Sequence, residues 1–178
     1  MSILRINTMA EIFSNIDIAT CRTCNLACRH QTVKHFFAVI SRLGDGVFWY
    51  ALMLVLPLVY GVSILPVSGR MALVGLIGLL VYKLIKTSTE RLRPFMVDER
   101  IQLGAAPLDK YSFPSGHTLH ATAFSIVVIY YLPELFWLVV PFAFLVAISR
   151  VVLGLHYPTD VLAGAIIGAV VALAVIAF

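Results

Sequence analysis

"GHTLHATAFSIVVIYYLPELFWLVVPFAFLVAISR", residues 116–150, decides the fold. Two apolar runs stand back to back, near 116–132 and 135–153, separated by Pro133-Glu134. Each approaches the ~20 residues an α-helix needs to cross a bilayer. Three more runs of that kind lie near 46–65, 70–88 and 159–178, so the chain is expected to fold as an all-α, polytopic transmembrane helix bundle of about five spans. Pro66-Val67-Ser68-Gly69 looks like the tight turn closing the first of them.

The composition agrees. The 178 residues are 61% hydrophobic and 12% charged, with a mean hydropathy of +0.97. A soluble domain is usually about 45–50% apolar. The net charge of +4 is modest and gives no case for nucleic acid. Basic residues in such a chain serve topology or an anionic ligand. No cleavable signal peptide is visible in residues 1–32, which are polar to mixed.

The N-terminal 43 residues differ from the rest. Ile12, Phe13, Ile16 and Ile18 fall at roughly helical spacing, as in a short amphipathic helix on the membrane surface. Residues 33–43, "VKHFFAVISRL", look like a second interfacial helix, and Gly44-Asp45-Gly46 then breaks the chain. The expected division is therefore 1–43 as an interfacial segment and 44–178 as a transmembrane catalytic domain. Cys21, Cys24 and Cys28 with His30 resemble metal-ligand spacing, but the second half of a zinc site is missing. Thiols on one helical stripe, reduced or facing lipid, fit better.

With five spans and short turns, nearly every ionisable residue falls on one membrane face. Three clusters meet there: Lys86 with Arg93-Pro94; Pro114-Ser115-Gly116-His117; and Ser149-Arg150 with His156 and Asp160. Each alone has a bland reading. Lys86, Arg91 and Arg93 suit interfacial anchors. Pro114-Ser115 suits a plain helix start, and His156 with Asp160 suits an i,i+4 pair. Together they suit phosphoryl transfer. Lys86, Arg93 and Arg150 would neutralise phosphate oxygens. Ser115 would add a hydroxyl, and the N–H groups of residues 115–117 would point at the same oxygens. Gly116 would allow close backbone approach. One histidine would attack phosphorus and the other protonate the leaving oxygen. Asp160, four residues from His156, would take that ring's Nδ1 proton and free Nε2, making His156 the nucleophile and His117 the general acid. No carboxylate cluster is available to hold a metal, and no cofactor is expected. His120 is expected to pack or hydrogen-bond beside the site.

At these residues the chain resembles the type 2 phosphatidic acid phosphatase superfamily of membrane lipid phosphate phosphatases. That family's three blocks are matched at Lys86…Arg93-Pro94, at Pro114-Ser115-Gly116-His117 and at Ser149-Arg150…His156…Asp160, without departure at any signature position. The resemblance implies a phosphohistidine on His156, proton donation by His117, no metal requirement, and phosphate binding by Lys86, Arg93, Ser115, Gly116, His117 and Arg150. Members commonly have six spans, and here the first is replaced by residues 1–43. The family precedent puts the site on the face away from the cytoplasm of the cell (inner) membrane. The cations argue the other way, since Arg70 alone lies on the bare face. The expected partner is a membrane lipid phosphate reaching the site laterally from the bilayer, of the undecaprenyl diphosphate, phosphatidic acid or phosphatidylglycerol phosphate class. The rivals are a non-catalytic lipid-phosphate binder or carrier and an enzyme of the vanadate-dependent peroxidase kind. Oligomeric state is not legible.

Overall fold

The structure, a computed structural model, describes the backbone of residues 2–178 and the side chains of 14–178. Among the described residues there are eight α-helices and no strand: α1 Ser2–Asn25, α2 Gln31–Arg42, α3 Phe48–Tyr60, α4 Leu65–Thr89, α5 Pro94–Val97, α6 Gly116–Tyr131, α7 Phe136–Val152 and α8 Pro158–Ile176. The molecule is a polytopic helical bundle. Four helical segments, Gln31–Tyr60, Val62–Thr89, Pro133–Val152 and Pro158–Ile176, are long and apolar enough to cross a membrane.

Five such spans are expected from the sequence; α6, at 16 residues, is shorter than these four and sits at the centre, packed against α4, α7 and α8. Its 16 residues rise about 24 Å. Its buried positions include Ala121, Ala123 and Ser125, short side chains that let neighbours approach. The closest approach is to α8, where Gly164 and Gly168 form a small-xxx-small pair. A Cβ on Gly164 would stand 2.5 Å from the Ser115 carbonyl oxygen, and one on Gly168 would stand 2.2 Å from that of Leu119. Backbone therefore meets backbone along this seam.

Two expected boundaries move. Pro66-Val67-Ser68-Gly69 is helical, because Pro66 occupies the first turn of α4, where its missing N–H costs nothing. The reversal lies earlier, at Gly61, whose φ of +79° only glycine adopts readily, followed by a 3₁₀ turn at Val62–Ile64. Ser68 Oγ donates to the Met53 carbonyl and ties the hairpin. Similarly, Gly44-Asp45-Gly46 bends the chain without ending it. A π-turn at Leu43–Val47 joins α2 to α3, so the helical run begins at Gln31 rather than near 46. Gly46, at φ +117°, absorbs the bend.

The N-terminal segment is tied down. Asn25 Nδ2 donates to the carbonyls of Gln102 and Val152, and its Oδ1 accepts from the Gln102 N–H. Ile18 packs beside Cys21, Ile101 and Tyr157, whereas Ile16 is exposed. The side chains of Ile12 and Phe13 lie outside the described residues. Cys21 and Cys28 are buried against the loop after α7 and donate to the carbonyls of His156 and Val152. They do not face lipid: both thiols fill protein core. Among the described residues no group of three His, Cys, Asp or Glu is set to hold a metal.

Candidate active site

The three motif blocks converge at one end of the bundle because the helices carrying them alternate in direction. Lys86 is in the last turn of α4, Gly116 opens α6, Arg150 is in the last turn of α7, and Asp160 is in the first turn of α8. His156 lies in the short loop between α7 and α8 and is buried.

His156 Nε2 is 3.3 Å from Arg93 Nη1. A guanidinium only donates, so Nε2 is the acceptor and carries the free lone pair. The ring is held well below the usual imidazole range by burial, reinforced by the Arg150 and Arg93 guanidinium groups. It is a neutral base aimed at the cations. The remaining proton then sits on Nδ1, which faces Asp160 Oδ2 at 3.7 Å and has no hydrogen-bond partner. This corrects the expected Asp160–His156 hydrogen bond. Asp160 Oδ2 instead accepts the Tyr157 N–H at 2.9 Å, the capping bond of α8, and Oδ1 accepts from Arg91 Nη1 at 2.6 Å. The carboxylate and the neutral ring remain close, but the cap holds the oxygen beyond hydrogen-bonding distance.

Lys86 and Arg93 meet on one anion. Asp109 Oδ1 lies 2.8 Å from both Lys86 Nζ and Arg93 Nη2, and Tyr82 Oη donates to Asp109 Oδ2. Burial alone would raise this carboxyl. Lys86, Tyr82 and Arg93 together outweigh burial and hold it below the usual carboxylate range. Arg93 further donates to the carbonyls of Asp109 and Leu155. Arg150 is buried, with Nη1 donating to Ser41 Oγ and its Nε unpartnered.

The start of α6 departs partly from expectation. The Ser115 N–H donates to the Asp160 carbonyl at 3.0 Å and is not free. Ser115 Oγ lies 3.0 Å from Thr118 Oγ1. The N–H groups of Gly116 and His117 remain in the first turn, where α6 offers no carbonyl partner. Gly116 is needed for packing: a Cβ there would stand 2.8 Å from the Tyr82 ring. His117 Nε2 faces Asp45 Oδ1 at 3.4 Å, across from the π-turn. His120 bonds the carbonyls of Gly116 and Gly75, as expected of a packing residue.

Beside His117 opens a cavity of about 490 Å³ between the π-turn, α3, α4 and α6. Below His117 and Tyr82 its lining is apolar, including Trp49, Met53, Leu76 and Phe124. Sequence reasoning missed Asp45, Tyr82 and Asp109, and treated Arg91 only as an anchor. The pairings of Asp45 with His117, of Asp109 with Tyr82, Lys86 and Arg93, and of Arg91 with Asp17 and Asp160 span 16 to 74 residues, and no short motif links them.

The arrangement can bind a phosphoryl group on Lys86, Arg93 and Arg150 and present it to His156 Nε2, with His117 on the side of the apolar cavity. The chain is similar to several known proteins. The undecaprenyl-diphosphatase of Sulfolobus acidocaldarius is 39% identical over 80 residues, which is 44% of this chain and 38% of that protein. The chain spans about half or less of the length of the curated relatives it matches. The crystal structure of Aquifex aeolicus LpxE superposes with a TM-score of 0.79 at 26% identity, covering 92% of this chain and 96% of that one. The crystal structure of the PAP2 type phosphatidylglycerolphosphate phosphatase from Bacillus subtilis gives 0.74 at 27% identity, covering 94% and 86%. The sequence profile of the PAP2 superfamily matches residues 66–178, a stretch that holds all three motif blocks, and the chain belongs to that superfamily.

Proposed function

We propose that this membrane protein is a metal-independent phosphatase that removes a terminal phosphate from a membrane lipid. The observation that carries it is the neutral His156 Nε2 beside Arg93, at the same end of the bundle as His117, which lines an apolar cavity. His156 Nε2 attacks phosphorus while the bond from phosphorus to the lipid oxygen breaks. His117 gives that oxygen its proton, and the lipid leaves. Water then attacks the phosphohistidine, losing a proton to His117, and inorganic phosphate is released with His156 restored. Lys86, Arg93, Arg150 and the N–H groups of Gly116 and His117 hold the phosphoryl oxygens throughout. Asp160 stabilises the charge on His156 once the 3.7 Å gap closes. Asp109 occupies two of those cations and is displaced by the incoming phosphate.

The tail of the lipid lies in the cavity between α3 and α4, reached laterally from the bilayer. Relatives named for undecaprenyl diphosphate and phosphatidylglycerol phosphate support those two classes as first substrates, and phosphatidic acid is the third class to assay. The site faces away from the cytoplasm of the cell membrane, with the segment before Gln31 lying at the interface beside it. The test is phosphate release from a panel of lipid phosphates in detergent, with EDTA present. Release should persist in EDTA and be inhibited by vanadate. His117→Ala should be crippled on lipid substrates and recover partly on p-nitrophenyl phosphate, whose leaving group needs no proton, since general-acid help is worth roughly 10²–10⁴-fold. Absence of release from every lipid phosphate tested would leave a non-catalytic lipid-phosphate binder as the better account.

A further inference from the structure

Asp160 is fully buried, and a buried carboxylate is costly unless a cation and hydrogen bonds compensate it. The cation bonded to Asp160 among the described residues is Arg91, at a position that the first motif block, Lys86…Arg93-Pro94, leaves unspecified. Its Nη1 meets Asp160 Oδ1 at 2.6 Å and Thr159 Oγ1 at 2.8 Å. Its Nη2 meets Asp17 Oδ2 at 2.7 Å. The guanidinium lies 3.9 Å from the centre of the Tyr157 ring. Asp17, itself buried on α1, also accepts from the Thr159 N–H at 3.2 Å and from the Thr159 hydroxyl. Asp17, Arg91 and Thr159 thus form a closed ring of bonds with Asp160 attached to one side.

Two consequences follow. With Oδ1 fixed by Arg91 and Oδ2 by the Tyr157 N–H, the carboxylate plane has no rotational freedom, and Oδ2 stays directed at His156 Nδ1. The orientation of Arg91 is in turn set by α1. That helix also touches the loop bearing the nucleophile through Cys21, whose thiol donates to the His156 carbonyl at 3.3 Å.

We infer that Arg91 is a positioning residue for the Asp160–His156 pair, and that Asp17 on α1 holds Arg91 in place, coupling the N-terminal segment to the catalytic step. The inference rests on the phosphatase reading above. Arg91 touches none of Lys86, Arg93, Arg150 or His117 in the bonds described, so its removal should affect attack by His156 and leave phosphate binding alone.

The experiment compares Arg91→Ala, Arg91→Lys, Asp17→Asn and the double variant Asp17→Asn/Arg91→Ala in the full-length chain in detergent. A lipid phosphate that the wild type hydrolyses and His156→Ala does not is the substrate. Failure of the wild type to hydrolyse any would fail the phosphatase reading itself, whereas the outcomes below judge Arg91 alone. Arg91→Ala should lower kcat by roughly 10²–10³-fold, less than the ~10⁴ lost when a triad carboxylate is neutralised. KM and the vanadate inhibition constant should stay within about threefold, since the loss is confined to the transition state. Free guanidinium, well below denaturing concentration, should restore part of that kcat, and Arg91→Lys should retain more activity than Arg91→Ala. Asp17→Asn should cost roughly tenfold in the wild type and almost nothing on top of Arg91→Ala, because coupled residues are not additive. The inference is overturned by a kcat within twofold of wild type in Arg91→Ala. It is equally overturned if KM and vanadate inhibition weaken as much as kcat falls, or if the Asp17→Asn loss persists in full in the double variant.

Discussion

At the end of the bundle where α4 stops and α6 and α8 begin, Asp17, Lys86, Arg93, Arg150, His156 and Asp160 are each less than 10% exposed and share partners. At the opposite end, ionisable groups are few and wet. Glu134 is exposed and accepts one bond from Tyr60 Oη at 3.0 Å, and the Arg70 guanidinium lies 5.2 Å from the centre of the Tyr131 ring. Burying charge is expensive, and a chain that needs only to cross the bilayer avoids it, as the second end does. The first end buries three cations, Lys86, Arg93 and Arg150, pairs two of them with the half-buried Asp109, and leaves the Arg150 Nε and His156 Nδ1 without partners. That excess has a use when an anion arrives. The contrast locates chemistry without reference to any relative.

The comparison can be broken at its strongest point first. His156→Ala should lower turnover by at least ~10⁴-fold, the scale of losing a covalent nucleophile, and abolish acid-labile phosphate on the protein. Labelled phosphate trapped on that variant after a rapid acid quench would show that the charged end uses another nucleophile. Arg93→Lys comes next. Charge is kept, but one ammonium cannot reproduce the bonds to Asp109, to the Leu155 carbonyl and towards His156, so kcat/KM should fall roughly 10²–10³-fold. Near-normal kcat/KM would make Arg93 an anchor like those expected at any membrane surface.

A smaller effect with the opposite sign is expected at Asp109. Asp109→Asn removes the carboxylate that phosphate must displace from Lys86 and Arg93, so KM and the vanadate inhibition constant should drop severalfold, on the order of one surface ion pair. A rise in both would mean that Asp109 holds the cations in place for substrate. Last, Glu134→Gln at the wet end should leave kcat/KM unchanged and shift stability by no more than about 0.5 kcal/mol. Any measurable loss of activity would erase the distinction between the ends.

Much of the charged end was legible in the sequence, because its cations and histidines sit at fixed spacings on helix ends and the helices alternate in direction. What stayed hidden was pairing across the chain. Asp17 bonds Arg91 and Asp109 bonds Lys86, contacts that no helical or strand period relates. The break at 66–69 was misplaced because Pro, Ser and Gly in succession read as a turn, although Pro is equally at home in a helix's first turn. The bond from Asp160 to His156 was expected from i,i+4 spacing, but spacing does not register that the same oxygen caps α8. The cysteines had a helical stripe as expected. Only the folded loop 152–156 shows that the stripe faces protein.

Under the proposed phosphatase activity, the glycine seam between α6 and α8 bears on how one site would accommodate lipids of different bulk. His117 rides on α6 and Asp160 on α8, and Gly164 and Gly168 lock those backbones together. The apolar cavity is walled by the π-turn, α3, α4 and α6, and no residue of α8 lines it. On that reading a thicker or longer hydrocarbon chain can push α3 and α4 apart without changing the distance from His117 to Asp160. The machine tool is bolted to its bed, while the vice that grips the workpiece has a movable jaw.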